Sequence, residues 1–296
     1  MFNLKGSIVA LVTPMNMDGS IDWQSLSGLI DWHIDSGTSG IVVVGTTGES
    51  PTIDVAEHVQ IIENCVNHSN DRIRIIAGTG ANSTKEAIYL TAAAKEAGAH
   101  AALLVTPYYN KPTQEGLFAH YHSIANQVDI PQILYNVPSR TGCDLLPETV
   151  FRLASHENII GLKEATGCLS RLKDLQDILL KLPENNLFLL YSGDDVTSTE
   201  FMLNGGSGTI SVTANVVPHL ISRISALALN AEFKKSLALD KELKDLNRIL
   251  FIESNPIPVK YALYKMGRIP NGIRLPLTEL SKENKFEMER ILKEFS

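Results

Sequence analysis

Short apolar runs rich in valine, isoleucine and leucine recur along the first two-thirds of the chain. They are continuously apolar rather than alternating, which is typical of strands buried on both faces of a parallel sheet. The predicted strands are Ser7–Val12, Ile41–Val44, Ile73–Ala77, Ala101–Val105, Gln132–Tyr135, Ile159–Leu162, Leu187–Tyr191 and Thr209–Val212. Stretches with helical periodicity lie between them, among them Val55–Val66, Glu86–Ala97 and Glu115–Val128. Eight strands alternating with helices favour a closed (β/α)₈ barrel, and an open, doubly wound sheet is the competing architecture.

The last quarter of the chain has an almost wholly helical pattern. Predicted helices cover about Pro218–Ala231, Phe233–Phe251 and Pro258–Met266, and another lies near the C-terminus. A (β/α)₈ barrel needs only one helix after its eighth strand, so the others form an extension. We therefore predict a barrel over residues 1–230 and a helical C-terminal extension over residues 231–296.

Composition and charge narrow the classes of function. Of the 296 residues, 44% are hydrophobic, which is enough for a large core. The chain carries 26 Lys and Arg residues against 33 Asp and Glu residues, for a formal net charge of −7. Such a chain is a poor partner for nucleic acid, which needs a basic face. Any anionic substrate must be held by local positive groups.

Cysteine usage and hydropathy predict a cytoplasmic protein. Cys65, Cys143 and Cys168 lack CxxC spacing, so neither a disulfide framework nor a zinc site is indicated. Residues 1–6 lack the features of a secretory signal, and no apolar run approaches the roughly 20 residues of a bilayer span. His120 and His122 lie two residues apart and would not share a helix face. We expect no metal, nucleotide or flavin cofactor and no membrane partner.

Small and polar residues follow the predicted strands. In a (β/α)₈ barrel, the groups that carry chemistry lie at the carboxyl ends of the strands and in the loops after them. These positions read GTTGES at 45–50, GTGANS at 78–83, TPYYN at 106–110, YNVPSRTG at 135–142, KEATG at 163–167, SGDD at 192–195 and SVTAN at 211–215. Hydroxyls, small residues and a few charges converge on one rim, which is a composition typical of an active site.

Two side chains at neighbouring strand ends are candidates for catalysis. Lys163 follows an apolar run. Lysine is rarely buried without a reason, because burial removes the water that stabilises its charged form. Burial therefore favours the neutral amine. Such an amine can attack a carbonyl to form a Schiff base. Tyr135 ends the preceding strand, and its phenol could transfer protons in that reaction. The alternatives are a rim lysine paired with Glu164 or another acid, and a core tyrosine with a satisfied hydroxyl.

Two loops hold candidates for binding an anionic group. Thr46 and Thr47 lie in a glycine-flanked turn, where hydroxyls and amides can hold a carboxylate or pass a proton. The same residues are also ordinary chemistry for a turn that enters a helix. Arg140 lies in the loop just past Tyr135, and its guanidinium group matches a carboxylate in bidentate fashion. A solvated loop arginine is the alternative.

Six motifs in order carry a family resemblance. GTTGES, TPYYN, YNVPSRTG, GLKEATG, SGDD and GTISVTANV each begin or end a predicted strand. Together they resemble the dihydrodipicolinate synthase family, within the N-acetylneuraminate lyase superfamily of class I Schiff-base aldolases. The resemblance runs from about Gly6 to the C-terminal region. It implies a barrel enzyme, a lyase of lysine and diaminopimelate biosynthesis.

The resemblance implies a reaction and its catalytic residues. Pyruvate would form a Schiff base with Lys163, lose a methyl proton to give an enamine, and attack L-aspartate 4-semialdehyde. Tyr135 would relay protons, with Thr46 as its hydrogen-bond partner. Tyr109 would complete the relay by reaching into the site of a neighbouring subunit. The family arrangement is a homotetramer built as a dimer of tight dimers.

The resemblance also implies the residues that bind substrate. Thr47 would bind the pyruvate carboxylate, and Arg140 would hold the relay tyrosine and the carboxylate of the semialdehyde. Gly193 and Ile210 match further positions that line the site. The segment between Lys163 and Gly193 is longer than the family pattern, which affects the fit of the SGDD loop.

Two other functions compete with synthase activity. One is cleavage of N-acetylneuraminate or a 2-keto-3-deoxy sugar acid by an aldolase of the same superfamily. Arg140 and the GTTGE sequence favour the synthase. The sialic acid lyases carry an uncharged residue at the position of Arg140, and they typically read GSTGE where this chain has GTTGE. The other is a non-catalytic barrel that binds a keto acid, which would not need Lys163, Tyr135, Thr46 and Tyr109 together.

A regulatory site for L-lysine, a feedback inhibitor of many family members, is the last expectation from the resemblance. Such a site lies at the tight-dimer interface, where a glutamate suits the ligand ammonium and an amide suits its carboxylate. Val55 stands where some lysine-sensitive members have histidine, and a capping box with Ser83 is another reason for Glu86. The matching positions are Ser50, Pro51, His58, Asn82, Glu86 and Tyr108.

Overall fold

The eight apolar runs form eight parallel strands that close into a barrel in chain order. The computed structural model describes residues 3–183 and 186–295. The strands are β1 (Gly6–Ala10), β2 (Gly40–Val43), β3 (Arg74–Gly78), β4 (Ala101–Val105), β5 (Gln132–Asn136), β6 (Ile159–Glu164), β7 (Leu189–Ser192) and β8 (Gly208–Ser211). β8 pairs with β1 in parallel, which confirms the (β/α)₈ barrel and excludes the open sheet.

The strands are apolar throughout because both of their faces are covered. On β5, Ile133 and Tyr135 belong to the cluster inside the barrel, while Leu134 belongs to the cluster between strands and helices. Neighbouring residues along a strand point to opposite faces, so both sets must be apolar. The lack of alternation in the sequence is thus explained by burial on two sides.

Helices surround the barrel and continue beyond it. The barrel helices and short loop helices are α1 (Trp23–Asp35), α2 (Val55–Ser69), α3 (Thr84–Glu96), α4 (Gln114–Gln127), α5 (Pro138–Thr141), α6 (Pro147–Leu153), α7 (Leu169–Leu179), α8 (Ser198–Leu203) and α9 (Pro218–Leu229). The C-terminal helices are α10 (Phe233–Glu242), α11 (Lys244–Ile249), α12 (Ile257–Lys265) and α13 (Lys282–Leu292). The single helix predicted over Phe233–Phe251 is therefore two helices, which meet at Leu243. None of the helices in the described part of the chain is long and apolar enough to cross a membrane.

Barrel closure depends on a close approach of two backbones. Gly208 of β8 pairs with Gly6 of β1. A Cβ atom at Gly208 would lie 2.3 Å from the carbonyl oxygen of Gly6, which is closer than any real side chain allows. Glycine at this position lets the first and last strands meet.

The C-terminal segment packs on the barrel and shares its outer core. Leu246 and Val259 belong to the same buried cluster as Val43 and Ile61. A fully buried ion pair joins Lys260 of α12 to Glu49 of the GTTGES loop. Arg274 adds a bidentate ion pair to Glu57 of α2, with Nη1–Oε2 and Nη2–Oε1 distances of 2.6 and 2.7 Å. A boundary near residue 230 stays a prediction, because apolar packing is continuous across it.

Candidate active site

Lys163 and Tyr135 lie side by side within the barrel. They are register partners on β6 and β5, so their side chains project from adjacent strands to the same face. Lys163 Nζ lies 4.3 Å from the centroid of the Tyr135 ring, and the residues are 6% and 7% exposed. The structure thus brings the two predicted catalytic side chains into contact.

Strand alternation separates Lys163 from the acid that follows it. Glu164 points to the opposite face, where its Oε1 accepts from the backbone N–H of Thr166 at 2.8 Å and its Oε2 accepts from Asn136 Nδ2 at 3.1 Å. Burial raises the pKa of the Glu164 carboxyl. Lys163 Nζ has no hydrogen bond or ion pair to any residue in the described ranges. The alternative of a rim lysine paired with Glu164 is therefore wrong.

Gly193 leaves the space that the Lys163 side chain occupies. A Cβ atom at position 193 would lie 2.8 Å from Lys163 Cε and 2.7 Å from Ala165 Cβ. The backbone N–H of Gly193 donates to the carbonyl oxygen of Glu164 at 2.7 Å, which fixes the β7 end against β6. Ile210, on β8, is buried inside the barrel. Both predicted lining residues therefore lie at the barrel mouth or in its interior.

The GTTGES loop is held from several sides. Thr13 Oγ1 donates to the carbonyl oxygen of Gly48 at 2.7 Å. Glu49 adopts a left-handed backbone with φ of 59°, and its side chain forms the buried pair with Lys260. Thr47 is buried, and its Oγ1 accepts a hydrogen bond from Asn255 Nδ2 at 3.0 Å. The loop is thus anchored to residues far along the chain.

A pocket open to solvent lies at the carboxyl ends of β2–β5. Its walls include Thr46, Tyr135 and Arg140, together with Ser50, Pro51 and Tyr108. Arg140 is exposed on α5, and its Nη2 donates to the backbone oxygen of Asn255 at 3.2 Å. Tyr135 both lines this pocket and contacts Lys163, whereas the pocket lining does not include Lys163, Thr47, Gly193 or Ile210.

Tyr109 is the predicted catalytic residue that does not join the others within one chain. Its side chain is 89% exposed, and its backbone has a φ of 73°, in the left-handed region that tyrosine rarely adopts. The backbone N–H of Tyr109 donates to Thr141 at 3.3 Å, which secures this conformation. The ring therefore projects away from the chain that carries it.

The predicted lysine-site residues differ in exposure: His58 is buried, Ser50 and Asn82 are half-buried, and Pro51, Glu86 and Tyr108 are exposed. His58 is buried, which lowers its pKa to about 4, and its Nε2 has no hydrogen-bond partner among the described residues. Burial raises the pKa of Tyr108, and the nearby charge of Glu86 adds to this effect. The Ser83 side chain makes no capping bond to α3, so the capping-box explanation for Glu86 is wrong. Glu86 remains close to Tyr108.

The described residues contain no cluster of three or more His, Cys, Asp or Glu side chains that could hold a metal ion. His120 Nδ1 instead lies 2.9 Å from Thr84 Oγ1, and His122 Nδ1 lies 2.9 Å from Asn126 Nδ2. The longer segment between Lys163 and Gly193 holds α7, and it includes residues 184 and 185, which lie outside the described residues.

Asn255 is the residue at the site that sequence reasoning missed. It precedes α12, is 6% exposed, and contacts both Thr47 and Arg140. No strand, glycine-rich turn or spacing motif marks it in the sequence. Only the packing of the C-terminal segment on the barrel brings it to the site.

Known proteins similar to this chain agree with one another. The family model of the dihydrodipicolinate synthetase family matches residues 3–295. A 4-hydroxy-tetrahydrodipicolinate synthase of Pseudomonas savastanoi pv. phaseolicola is 61% identical over 279 residues, which is 94% of each chain. The chloride-inhibited dihydrodipicolinate synthase of Acinetobacter baumannii, solved in complex with pyruvate, is 54% identical with a TM-score of 0.95 over 98% of each chain.

A more distant solved structure has the same fold. The dihydrodipicolinate synthase of Cyanidioschyzon merolae, solved with lysine bound, is 34% identical with a TM-score of 0.92. The match covers 99% of this chain and 98% of that one. Because the family model covers nearly the whole chain and the sequence identities are high, this chain belongs to the dihydrodipicolinate synthetase family.

Proposed function

We propose that this protein is a lyase that condenses pyruvate with L-aspartate 4-semialdehyde, with pyruvate held as a Schiff base on Lys163. The observation that carries the proposal is the buried Lys163 amine, which faces the Tyr135 ring and has no acidic partner among the described residues. Synthases with this activity are 54–61% identical to the chain over most of its length. The pyruvate complex of the Acinetobacter baumannii relative supports the identity of the first substrate.

The chemistry begins at Lys163 Nζ. The neutral amine attacks the keto carbon of pyruvate, and the resulting carbinolamine loses water to give an imine. The positive imine nitrogen withdraws electrons, so a methyl proton leaves and an enamine forms. The enamine carbon attacks the aldehyde of the second substrate. The amine of that substrate then attacks the imine carbon, which closes the ring and frees Lys163.

These steps need proton transfers, and the position of the Tyr135 phenol suits it to make them. Its phenol belongs to the pocket wall that Thr46 shares, and its ring touches Lys163. In our proposal Thr46 and Tyr109 extend this group into a relay, with Tyr109 supplied by a second subunit. The exposed, left-handed Tyr109 fits such a role, because a projecting aromatic ring is suited to burial against another copy of the chain. The proposed assembly is the homotetramer expected from the resemblance.

Two groups recognise the substrate carboxylates in this proposal. Thr47 holds the pyruvate carboxylate by its hydroxyl, and Gly193 and Ile210 are further lining residues in this proposal. Arg140 lies at the pocket entrance, where its positive charge attracts the carboxylate of the semialdehyde. Because the chain has a net charge of −7, this local cation matters for capturing an anion. The arginine also favours the synthase over a sialic acid lyase.

We further propose that L-lysine binds near Ser50, Pro51, His58, Asn82, Glu86 and Tyr108. Ser50, Pro51 and Tyr108 belong to the wall of the same pocket, so a ligand there lies close to the substrate approach. Glu86 provides a charge for the ligand ammonium, and the buried, neutral His58 has an unpartnered Nε2. The lysine-bound relative from Cyanidioschyzon merolae supports this assignment.

Regulation by L-lysine predicts that removing the charge of Glu86 weakens inhibition. L-lysine in the millimolar range should slow the wild-type enzyme. Glu86→Gln should raise the half-inhibiting concentration about tenfold, because a charge-assisted hydrogen bond is lost. Initial rates at increasing lysine measure this, with Glu96→Gln at the exposed end of α3 as the matched control. A wild-type rate that stays flat throughout the millimolar range would contradict the proposal.

The Schiff base predicts a covalent adduct that depends on one lysine. Borohydride reduction in the presence of pyruvate should add one reduced pyruvyl group to the wild-type chain, as read from its intact mass. Lys163→Ala should gain none, while Lys265→Ala, at the end of α12, should gain it normally. Circular dichroism shows whether each variant is folded. An adduct on folded Lys163→Ala would mean that another residue is the nucleophile.

The proton-transfer role predicts that removing the Tyr135 hydroxyl lowers kcat strongly. Tyr135→Phe should lower kcat by about 10²-fold or more, the usual scale for losing a general acid or base. Tyr191→Phe is a matched control, because Tyr191 flanks Lys163 from β7 but its hydroxyl donates to the backbone oxygen of Leu4 at 2.7 Å. Tyr191→Phe should lower the free energy of unfolding and leave kcat nearly unchanged. Equal kcat for Tyr135→Phe and wild type would make Tyr135 a packing residue.

A further inference from the structure

Asn255 links the C-terminal segment to both proposed carboxylate-binding residues. It lies between α11 and α12, outside the barrel strands and their loops. Its side-chain amide contacts Thr47, and its backbone oxygen contacts Arg140. These two residues are more than ninety positions apart in sequence and belong to different loops. Asn255 is the contact that they share.

The direction of the hydrogen bond at Thr47 determines what its hydroxyl can do. A hydroxyl has one hydrogen to donate and lone pairs that accept. Asn255 Nδ2 donates to Thr47 Oγ1 at 3.0 Å, which uses the hydroxyl as an acceptor. The hydroxyl hydrogen is therefore left to donate to another group. A carboxylate accepts hydrogen bonds only, so it needs such a donor.

The contact at Arg140 restrains a long, exposed side chain. Arg140 is exposed, and a long exposed side chain loses rotamer freedom when it is fixed on a ligand. Its Nη2 donates to the Asn255 backbone oxygen at 3.2 Å, which holds the guanidinium group at the pocket entrance before substrate arrives. The remaining N–H groups of the fork are not used by Asn255 and are available to a carboxylate.

The rest of the Asn255 side chain is enclosed. The residue is 6% exposed, and its Oδ1 is buried with no hydrogen-bond partner among the described residues. A buried amide oxygen without a partner costs free energy. The Nδ2 donation to Thr47 offsets part of this cost and is the contact that favours the observed orientation. The reverse orientation would make Oδ1 accept from the Thr47 hydroxyl and would remove that donor from the site.

We infer that Asn255 is a positioning residue: its amide sets Thr47 as a hydrogen-bond donor to the pyruvate carboxylate, and its backbone holds Arg140 at the entrance. This inference rests on the proposed function. It makes the C-terminal segment part of substrate recognition, although no residue of that segment reacts. Asn255 acts on the substrate only through Thr47 and Arg140.

Aspartate at position 255 tests the direction of the bond. It has the shape of asparagine but only accepts, so it would draw the Thr47 hydrogen away from substrate and add a negative charge nearby. Asn255→Asp should raise the pyruvate concentration that half-saturates borohydride trapping by about tenfold or more. At saturating pyruvate, the adduct should still reach one per chain. Asn255→Ala should have a smaller effect in the same direction.

A double variant tests whether Asn255 acts through Thr47. Thr47→Val removes the hydroxyl, and Asn255→Ala should then add little to the half-saturation concentration, because residues in one network are not additive. Asn158→Ala is the matched control, since its Nδ2 donates to Ala125 at 3.1 Å just before β6, at the opposite end of the barrel. It should lower Tm and leave pyruvate trapping unchanged.

Three outcomes are decisive. A half-saturation concentration within twofold of wild type in folded Asn255→Asp would overturn the inference while leaving the Schiff base intact. Effects of Asn255→Ala and Thr47→Val that multiply in the double variant would show that the two act independently, and would also overturn it. A wild-type chain that gains no adduct would refute the proposed function itself, and the inference with it.

Discussion

A lysine amine enclosed by an apolar barrel loses most of its hydration, and Lys163 recovers none of that loss as an ion pair with the described residues. The rest of the site depends on this constraint. Strand alternation sends Glu164, the next residue along β6, to the outer face, where asparagine and backbone groups hydrogen-bond to it. Gly193 leaves room for the lysine stem, and the Tyr135 ring covers the amine. The amine is thus left without a charged partner among the described residues, as the proposed Schiff base requires.

The C-terminal segment is the second structural requirement. It fixes the GTTGES loop through the buried Glu49–Lys260 pair and contacts Thr47 and Arg140 through Asn255. Breaking a buried ion pair leaves an uncompensated charge, so the loop and the segment hold each other in place. In the proposed function, the barrel supplies the nucleophile, and the segment outside it fixes the groups that recognise the substrate.

The fold could be predicted from sequence because burial on both faces leaves a direct mark, an unbroken apolar run. All eight strands were recognisable for this reason, and Lys163 and Tyr135 stood out as polar residues at the ends of such runs. Asn255 left no such mark, since its role comes from packing between distant segments. Tyr109 could be identified as a candidate only by motif, because within one chain it is exposed and apart from the other proposed catalytic residues. The split of the predicted helix at Leu243 was also hidden, as both parts keep helical periodicity.

Product identity is the most direct test of the account, because several Schiff-base enzymes share a lysine but differ in what they make. The purified protein should be incubated with pyruvate and L-aspartate 4-semialdehyde, and separately with N-acetylneuraminate alone, and the products analysed by mass spectrometry. We expect a condensation product in the first reaction and no cleavage in the second. Cleavage of N-acetylneuraminate without condensation would contradict it, and would mean that Arg140 does not mark the substrate.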